Sequence, residues 1–252
     1  MELQLDFEKR YRLVREIVET VVLTVLMFLV IRLAVQNFNV DGMSMEPNLH
    51  NQELILVDKW SYLFRAPARG DVIVFIAPPT PQEDFVKRVI GLPGDVVTIQ
   101  GTTVIVNGKV LTEKYVRPQN NLHNPFPSFT NRIVPPNTYL VLGDNRDGSS
   151  DSRDWGCVPQ QNIIGRAALI YWPLGQDNDG LLPNVSSTYA NVPATSRVQG
   201  NNMCPVMHNP GAPAASTQTQ PLDGLGDGKV ALMLAMPALF VVFTSRRKKH
   251  KE

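Results

Sequence analysis

From Ile17 to Val35 the chain reads IVETVVLTVLMFLVIRLAV, nineteen residues broken only by Glu19 and Arg32. At about 1.5 Å per residue a helix of that length spans roughly 28 Å, the thickness of a hydrocarbon core. The two charges lie near its ends, where long side chains reach the interface. No small-residue cleavage site follows, so the pattern predicts a retained anchor over 17–35 rather than a removed leader. Lys9, Arg10, Arg12 and Arg15 precede it, and no Lys or Arg occurs from Asn37 to Asn48. The positive-inside rule then places residues 1–16 in the cytoplasm and the following chain on the extracytoplasmic side of a cell membrane.

Beyond residue 37 the pattern changes to short apolar, β-branched runs: Leu54 to Val57, Asp71 to Ile76, Phe85 to Ile90, Val96 to Ile99, Thr103 to Val106, Thr138 to Leu142 and Ala167 to Tyr171. Their close spacing, with Pro93-Gly94-Asp95 and Asn107-Gly108 as turns, predicts a mainly β domain of antiparallel sheets over 37–173. Residues 173 to 228 hold seven Pro and seven Gly, with Tyr189 as the sole aromatic, and read as a flexible linker over 174–228. Val230 to Thr244 is again apolar, broken by Pro237, and is followed by Arg246, Arg247, Lys248 and Lys249. This predicts a second, short transmembrane segment over 229–245 with a basic cytoplasmic tail at 246–252.

Composition adds exclusions. With 24 Lys+Arg against 23 Asp+Glu the formal charge is +1, which argues against a phosphate-neutralising nucleic-acid binder. Two cysteines, Cys157 and Cys204, are too few for a disulfide scaffold, and no Cys/His cluster has zinc spacing, so neither metal nor cofactor is implied. The two can pair only if the linker folds back, and unpaired thiols are the expectation.

Three segments carry candidate chemistry. Ser44 lies in Gly42-Met43-Ser44-Met45-Glu46-Pro47, a turn with apolar neighbours directly after the anchor. Period-two alternation in Phe85-Val86-Lys87-Arg88-Val89-Ile90 sets Lys87 between apolar Phe85 and Val89 on one face. Such a lysine either guards a strand edge or is desolvated enough for its neutral amine to act as a base. The polar run from Gly143 to Gly156 directly follows apolar Tyr139-Leu140-Val141-Leu142 and offers either a solvated loop or a paired Asp/Arg network beside a site.

The set of boxes Ser44-Met45-x-Pro47, Arg69-Gly70-Asp71-Val72, Lys87 to Asp95, Gly143-Asp144-Asn145-Arg146, Asp151-Ser152-Arg153 and Trp155-Gly156 resembles bacterial type I signal peptidases, in order and behind an anchor. The resemblance covers residues 17 to 173. It implies a membrane-bound serine endopeptidase that cuts signal peptides from preproteins, with Ser44 as nucleophile and Lys87 as general base through an acyl-enzyme. It implies that Ser149 orients the lysine and that the Ser44 backbone N–H meets the oxyanion. A second oxyanion donor, a serine in part of the family, is replaced here by Gly42. Phe38, Val40, Met45, Leu49, Phe85 and Val86 match pocket residues that favour Ala at the first and third positions before the cut. Arg88, Asp144, Arg146, Asp151 and Arg153 match ion-pairing positions that support the site. The implied partners are preprotein signal peptides and the lipid bilayer.

Two other readings are weaker. A Ser/His/Asp hydrolase using His50 or His123 lacks a G-x-S-x-G elbow at Ser44. A catalytically dead binding protein on the same fold would have no need to keep both Ser44 and Lys87. Trp60, Tyr62 and Phe64 either face lipid or fill the core.

Overall fold

The computed structural model describes residues 2–118, 128–174, 179–194, 196, 199–200 and 202–207. Helix α1 (Glu2–Ala34) contains a stretch, Arg10–Ala34, that is long and apolar enough to cross a membrane. Its mean hydropathy reaches 2.3 and none of it is buried against protein. Arg15 Nε donates to Glu19 Oε1 at 2.7 Å, so the one carboxylate inside the predicted anchor is paired one turn back. The helix starts well before Ile17, because the charged residues ahead of the apolar run are themselves good helix formers.

Two sheets follow. The larger is built from β1 (Val35–Asn39), β2 (Leu54–Asp58), β3 (Val72–Ile76), β4 (Asp84–Gly91), β9 (Thr138–Leu142), β10 (Val158–Pro159) and β11 (Ile163–Trp172), in the spatial order β1-β2-β11-β3-β4-β9-β10. The smaller has β5 (Val96–Gln100), β6 (Thr103–Val106), β7 (Lys109–Val110), β8 (Phe129–Ile133) and β12 (Asn202–Met203), in the order β12-β8-β5-β6-β7. Every pairing is antiparallel except β12 with β8. All seven predicted runs are strands. The apolar pattern does not predict β1: its sequence VQNFN has little apolar character, and Val35 reads as the end of the anchor although it is the first residue of the strand.

Three apolar clusters fill the domain. Val40, Met45, Leu49, Ile55, Val57, Val74 and Ile170 pack beneath the chain that follows β1. Ile73, Phe75, Val89, Tyr139, Val141 and Trp155 pack under short helix α3 (Ser152–Trp155). Ile90, Val97, Val104, Val106, Leu140 and Leu142 form the third, against the smaller sheet.

Short helix α2 (Ser61–Phe64) sits beside the end of α1, because Lys59 N–H donates to Ala34 O at 3.0 Å. Its aromatics divide. Tyr62 turns inward and its hydroxyl donates to Asp71 at 3.1 Å, whereas Trp60 and Phe64 are exposed, Phe64 by 78%.

Two expectations are corrected over residues 179–207. The segment is not a free linker in its described part: short helix α4 (Ser186–Tyr189) buries Tyr189 in the third cluster, together with Val185. The Pro- and Gly-rich average hid these apolar anchors. The cysteines are also not free thiols, since Cys157 and Cys204 form a disulfide. The condition for pairing is met by fold-back: Cys157 N–H donates to Pro205 O at 2.7 Å, and Cys204 N–H donates to Ile133 O at 2.8 Å beside β12. Residues 208–228, the apolar 229–245 segment and the 246–252 tail lie outside the described residues.

Candidate active site

Ser44 opens a tight turn. Asn48 N–H and Leu49 N–H both donate to Met45 O, at 3.0 and 3.1 Å, so Met45 and Leu49, four residues apart, point the same way into the core. Both are fully buried, which corrects their expected place in a substrate pocket. They anchor the turn from below and leave Ser44 at its rim.

Lys87 reaches this rim from β4. Ile73 pairs with Lys87 on one side of the strand, and Arg88 pairs with Leu142 on the other. This register sets Lys87 just beyond the end of β9, where Gly143 begins the polar loop. The lysine is 4% exposed. Its Nζ donates to Ser44 Oγ at 2.7 Å and to Val86 O at 3.0 Å, and lies 5.1 Å from the Phe85 ring centroid. Burial lowers its pKa from 10.5 to about 8, against the opposing pull of Asp151 and Asp144. The alternation-based reading of Lys87 as desolvated therefore holds over the edge-strand reading.

The loop after β9 is a paired network and not a solvated surface. Arg88 Nε and Nη2 grip the two oxygens of Asp144 at 2.8 and 2.6 Å, and Arg88 Nη1 donates to Gly70 O at 2.8 Å. Arg153 Nε and Nη2 hold Asp151 in the same two-pronged way, each at 2.8 Å. Arg146 Nε donates to Gly143 O at 3.0 Å, and its Nη2 donates to Glu113 at 2.7 Å. Asp151 also caps α3 and accepts Gly143 N–H at 3.0 Å. All five residues expected to support the site are buried in these pairs.

Ser149 is buried beside them, but its hydroxyl donates to Asp151 at 2.9 Å. The amine of Lys87 bonds instead to Ser44 and Val86. The Ser149 hydroxyl is thus turned toward the Asp151 carboxylate and not toward the lysine amine it is expected to orient. Two residues that the sequence places only within a family box, with no role of their own, shape the site. Gly143 has no room for a side chain: a Cβ there would overlap the Ser149 hydroxyl and the Ser44 carbonyl oxygen. Asn145 holds the same turn, its N–H donating to Ser44 O and its Nδ2 to Met43 O, both at 3.0 Å.

A groove beside Ser44 and Lys87 is lined by Phe38, Val40, Phe85 and Val86, and also by Ile55 and Val74. The last two were legible in principle as the inward positions of their alternating strands. Gly42, with φ +99° and open space on the side where a Cβ would stand, lies on the rim of the groove. Its N–H donates to Asn51 Oδ1 at 2.9 Å. The Ser44 backbone N–H has no hydrogen-bond acceptor among the described residues. His50 bonds Glu53, with Nδ1 3.4 Å from Oε1, and not Ser44. His123 lies outside the described residues.

The family model described as signal peptidase, peptidase S26, matches residues 14–172. The chain is 41% identical over 168 residues to a signal peptidase I of Leptolyngbya laminosa, which covers 63% of this chain and 80% of that one. It is 42% identical over 149 residues to a signal peptidase I of Bacillus caldolyticus, covering 56% of this chain and 81% of the relative. A signal peptidase IB of Staphylococcus aureus is 33% identical over 174 residues, covering 64% and 90%.

Proposed function

The chain belongs to the signal peptidase family, peptidase S26, and from that membership we propose that it cuts signal peptides from exported preproteins with Ser44 as nucleophile and neutral Lys87 as base. The observation that carries the residue assignment is the 2.7 Å contact between Ser44 Oγ and Lys87 Nζ in a desolvated site. A pKa of about 8 leaves about one lysine in ten neutral at pH 7, enough to take a proton on each turnover.

In the forward half-reaction the Ser44 oxygen attacks the scissile carbonyl as its proton passes to Nζ. The oxyanion is assigned to the Ser44 N–H, which is free of any acceptor among the described residues. The ammonium then returns the proton to the departing amine, and an acyl-enzyme on Ser44 remains. Water, deprotonated by the same amine, attacks the ester, and as the signal peptide leaves with its new carboxylate the ammonium returns the proton to Ser44 Oγ. Arginine in place of Lys87 would not serve, because a guanidinium stays protonated.

Specificity for small residues in an A-x-A pattern is assigned to the groove lined by Phe38, Val40, Ile55, Val74, Phe85 and Val86. The apolar helix α1 anchors the enzyme in a bilayer, and its basic N-terminal flank favours a catalytic domain on the extracytoplasmic side. Because α1 runs directly into β1, Ser44 lies only about ten residues beyond the end of the anchor helix at Ala34, near the membrane surface where a signal peptide presents its cleavage site.

The test is cleavage of a preprotein by the full chain in detergent, for wild type, Ser44→Ala and Lys87→Ala. Cleavage after a small residue, lost in both variants, is the expected result. Activity retained by Lys87→Ala would overturn the dyad.

A further inference from the structure

The matched family region ends at residue 172, yet the chain beyond it reaches the polar network that holds the catalytic loop. We propose that Tyr189 is a positioning residue for the peptidase reaction, acting through Tyr115 and Glu113 on the loop that carries Gly143 and Ser149. The inference rests on Ser44 and Lys87 as the catalytic pair.

The Tyr189 hydroxyl lies 2.6 Å from that of Tyr115, which donates to Glu113 Oε1 at 2.6 Å. Since Tyr115 gives its proton to the carboxylate, its oxygen is left to accept, and Tyr189 is the donor. The same Glu113 oxygen accepts Arg146 Nη2 at 2.7 Å, and Arg146 Nε donates to Gly143 O at 3.0 Å. Gly143 in turn is wedged against Ser149 and the Ser44 carbonyl. A relay of four hydrogen bonds thus joins the C-terminal segment to the floor of the site.

Tyr115 also touches the two elements that carry the reacting side chains. Its ring lies 4.5 Å from the Arg88 guanidinium, the residue after Lys87. Its carbonyl accepts Asn48 Nδ2 at 2.7 Å, from the turn that begins at Ser44. Burial raises the pKa of both phenols, so both remain protonated donors. Tyr189 therefore fixes the hydroxyl of a residue that strand, turn and loop each contact, the strand at its ring, the turn at its carbonyl and the loop through Glu113.

The seat for Tyr189 is shaped for it. Gly70 has φ +90°, and a Cβ there would stand 2.7 Å from Val185 Cγ2 and 3.2 Å from Tyr189 Cε2. Thr188 Oγ1 donates to Thr112 O at 3.3 Å, and Asn107 Nδ2 donates to Pro193 O at 2.8 Å. The segment is thereby clasped on both sides of Tyr189.

Tyr189→Phe keeps the ring and removes the hydroxyl. In the full-length protein, a fall in kcat of about three- to tenfold with KM unchanged is expected, since the relay ends on the loop and not on the substrate groove. The same loss is expected for Glu113→Gln, and the double variant is to be no slower than Glu113→Gln alone. Tyr115→Phe, which keeps both rings and breaks the relay at its centre, gives an independent reading should Tyr189→Phe unfold. Wild-type kcat in either tyrosine variant, a loss that only follows the fraction unfolded, or additive effects with Glu113→Gln would overturn the inference. The controls are wild type and Lys87→Ala: an inactive wild type or an active Lys87→Ala defeats the dyad, whereas failure at Tyr189 alone leaves the dyad standing.

Discussion

Lys87 Nζ lies 2.7 Å from Ser44 Oγ, although 43 residues of chain separate them. Two rigid supports produce this approach: the turn nailed down by Met45 and Leu49, and the central strand β4, flanked by β3 and β9. Neither residue is in the free form it would adopt in water, and that fixes what can be measured.

On the proposed mechanism activity should rise with pH through about 8, because only the neutral amine of Lys87 could accept the Ser44 proton. Below that value kcat/KM should fall about tenfold per pH unit. A flat profile from about pH 5 to 9 would rule out a lysine base with this environment.

Lys87 also weakens the fold that houses it. Its native pKa of about 8 lies below the ordinary 10.5, so the unfolded chain binds more protons between those values and stability rises with pH across that window. Below about pH 8 the full penalty applies, on the order of 3 kcal/mol. Lys87→Met, apolar and of similar length, should abolish cleavage and yet melt at a higher temperature than wild type at pH 7. A lower melting temperature would mean the lysine is not strained by burial.

Gly143→Ala should be far more damaging than its single methyl suggests. The added carbon meets the Ser44 carbonyl and the Ser149 hydroxyl, so either the turn or the loop must move. Overpacking of this kind costs about 1 to 3 kcal/mol, and a shift of about 1 Å at the nucleophile lowers turnover by about a hundredfold. Comparing kcat with denaturant midpoints for this variant separates the two effects.

Breaking the Arg88–Asp144 pair tests the loop's foundation. Both side chains are 1% exposed, so Asp144→Ala would strand a buried guanidinium at a cost of about 3 to 5 kcal/mol. Urea unfolding should show the loss, and Arg88→Lys should recover only part of it, since an ammonium cannot form the two-pronged grip.

The Cys157–Cys204 bond closes a loop across a separation of 47 residues. The chain-entropy argument for a loop of that length gives about 4 kcal/mol of stabilisation. Reduction, or Cys157→Ser with Cys204→Ser, should lower the melting temperature of the full chain and make residues 202–207 more accessible to protease. Unchanged melting on reduction would show that the packing of Val185 and Tyr189 suffices to hold the segment.

Much of this protein was determined by its sequence alone. The apolar run before Val35 is long enough for a span-length helix, and the alternation around Lys87 sets a lysine among apolar neighbours. Strand positions followed from β-branched runs and turns because those signals are local. The family boxes likewise named Ser44 and Lys87 without any coordinates. What the tertiary structure decided depends on how the backbone turns locally and on what the fold packs against it. Ser149 turns to Asp151 rather than to the amine, because the carboxylate was brought within reach by the α3 cap. Met45 and Leu49 go down into the core, because the turn at Ser44 winds helically. Gly143 matters only because the chain leaving β9 runs against the Ser44 carbonyl. The chain after residue 178 looked like spacer by composition, yet Tyr189 and Cys204 find partners seventy-four and forty-seven residues away. Composition averages over a segment, whereas burial is settled residue by residue by whatever surface the fold leaves open.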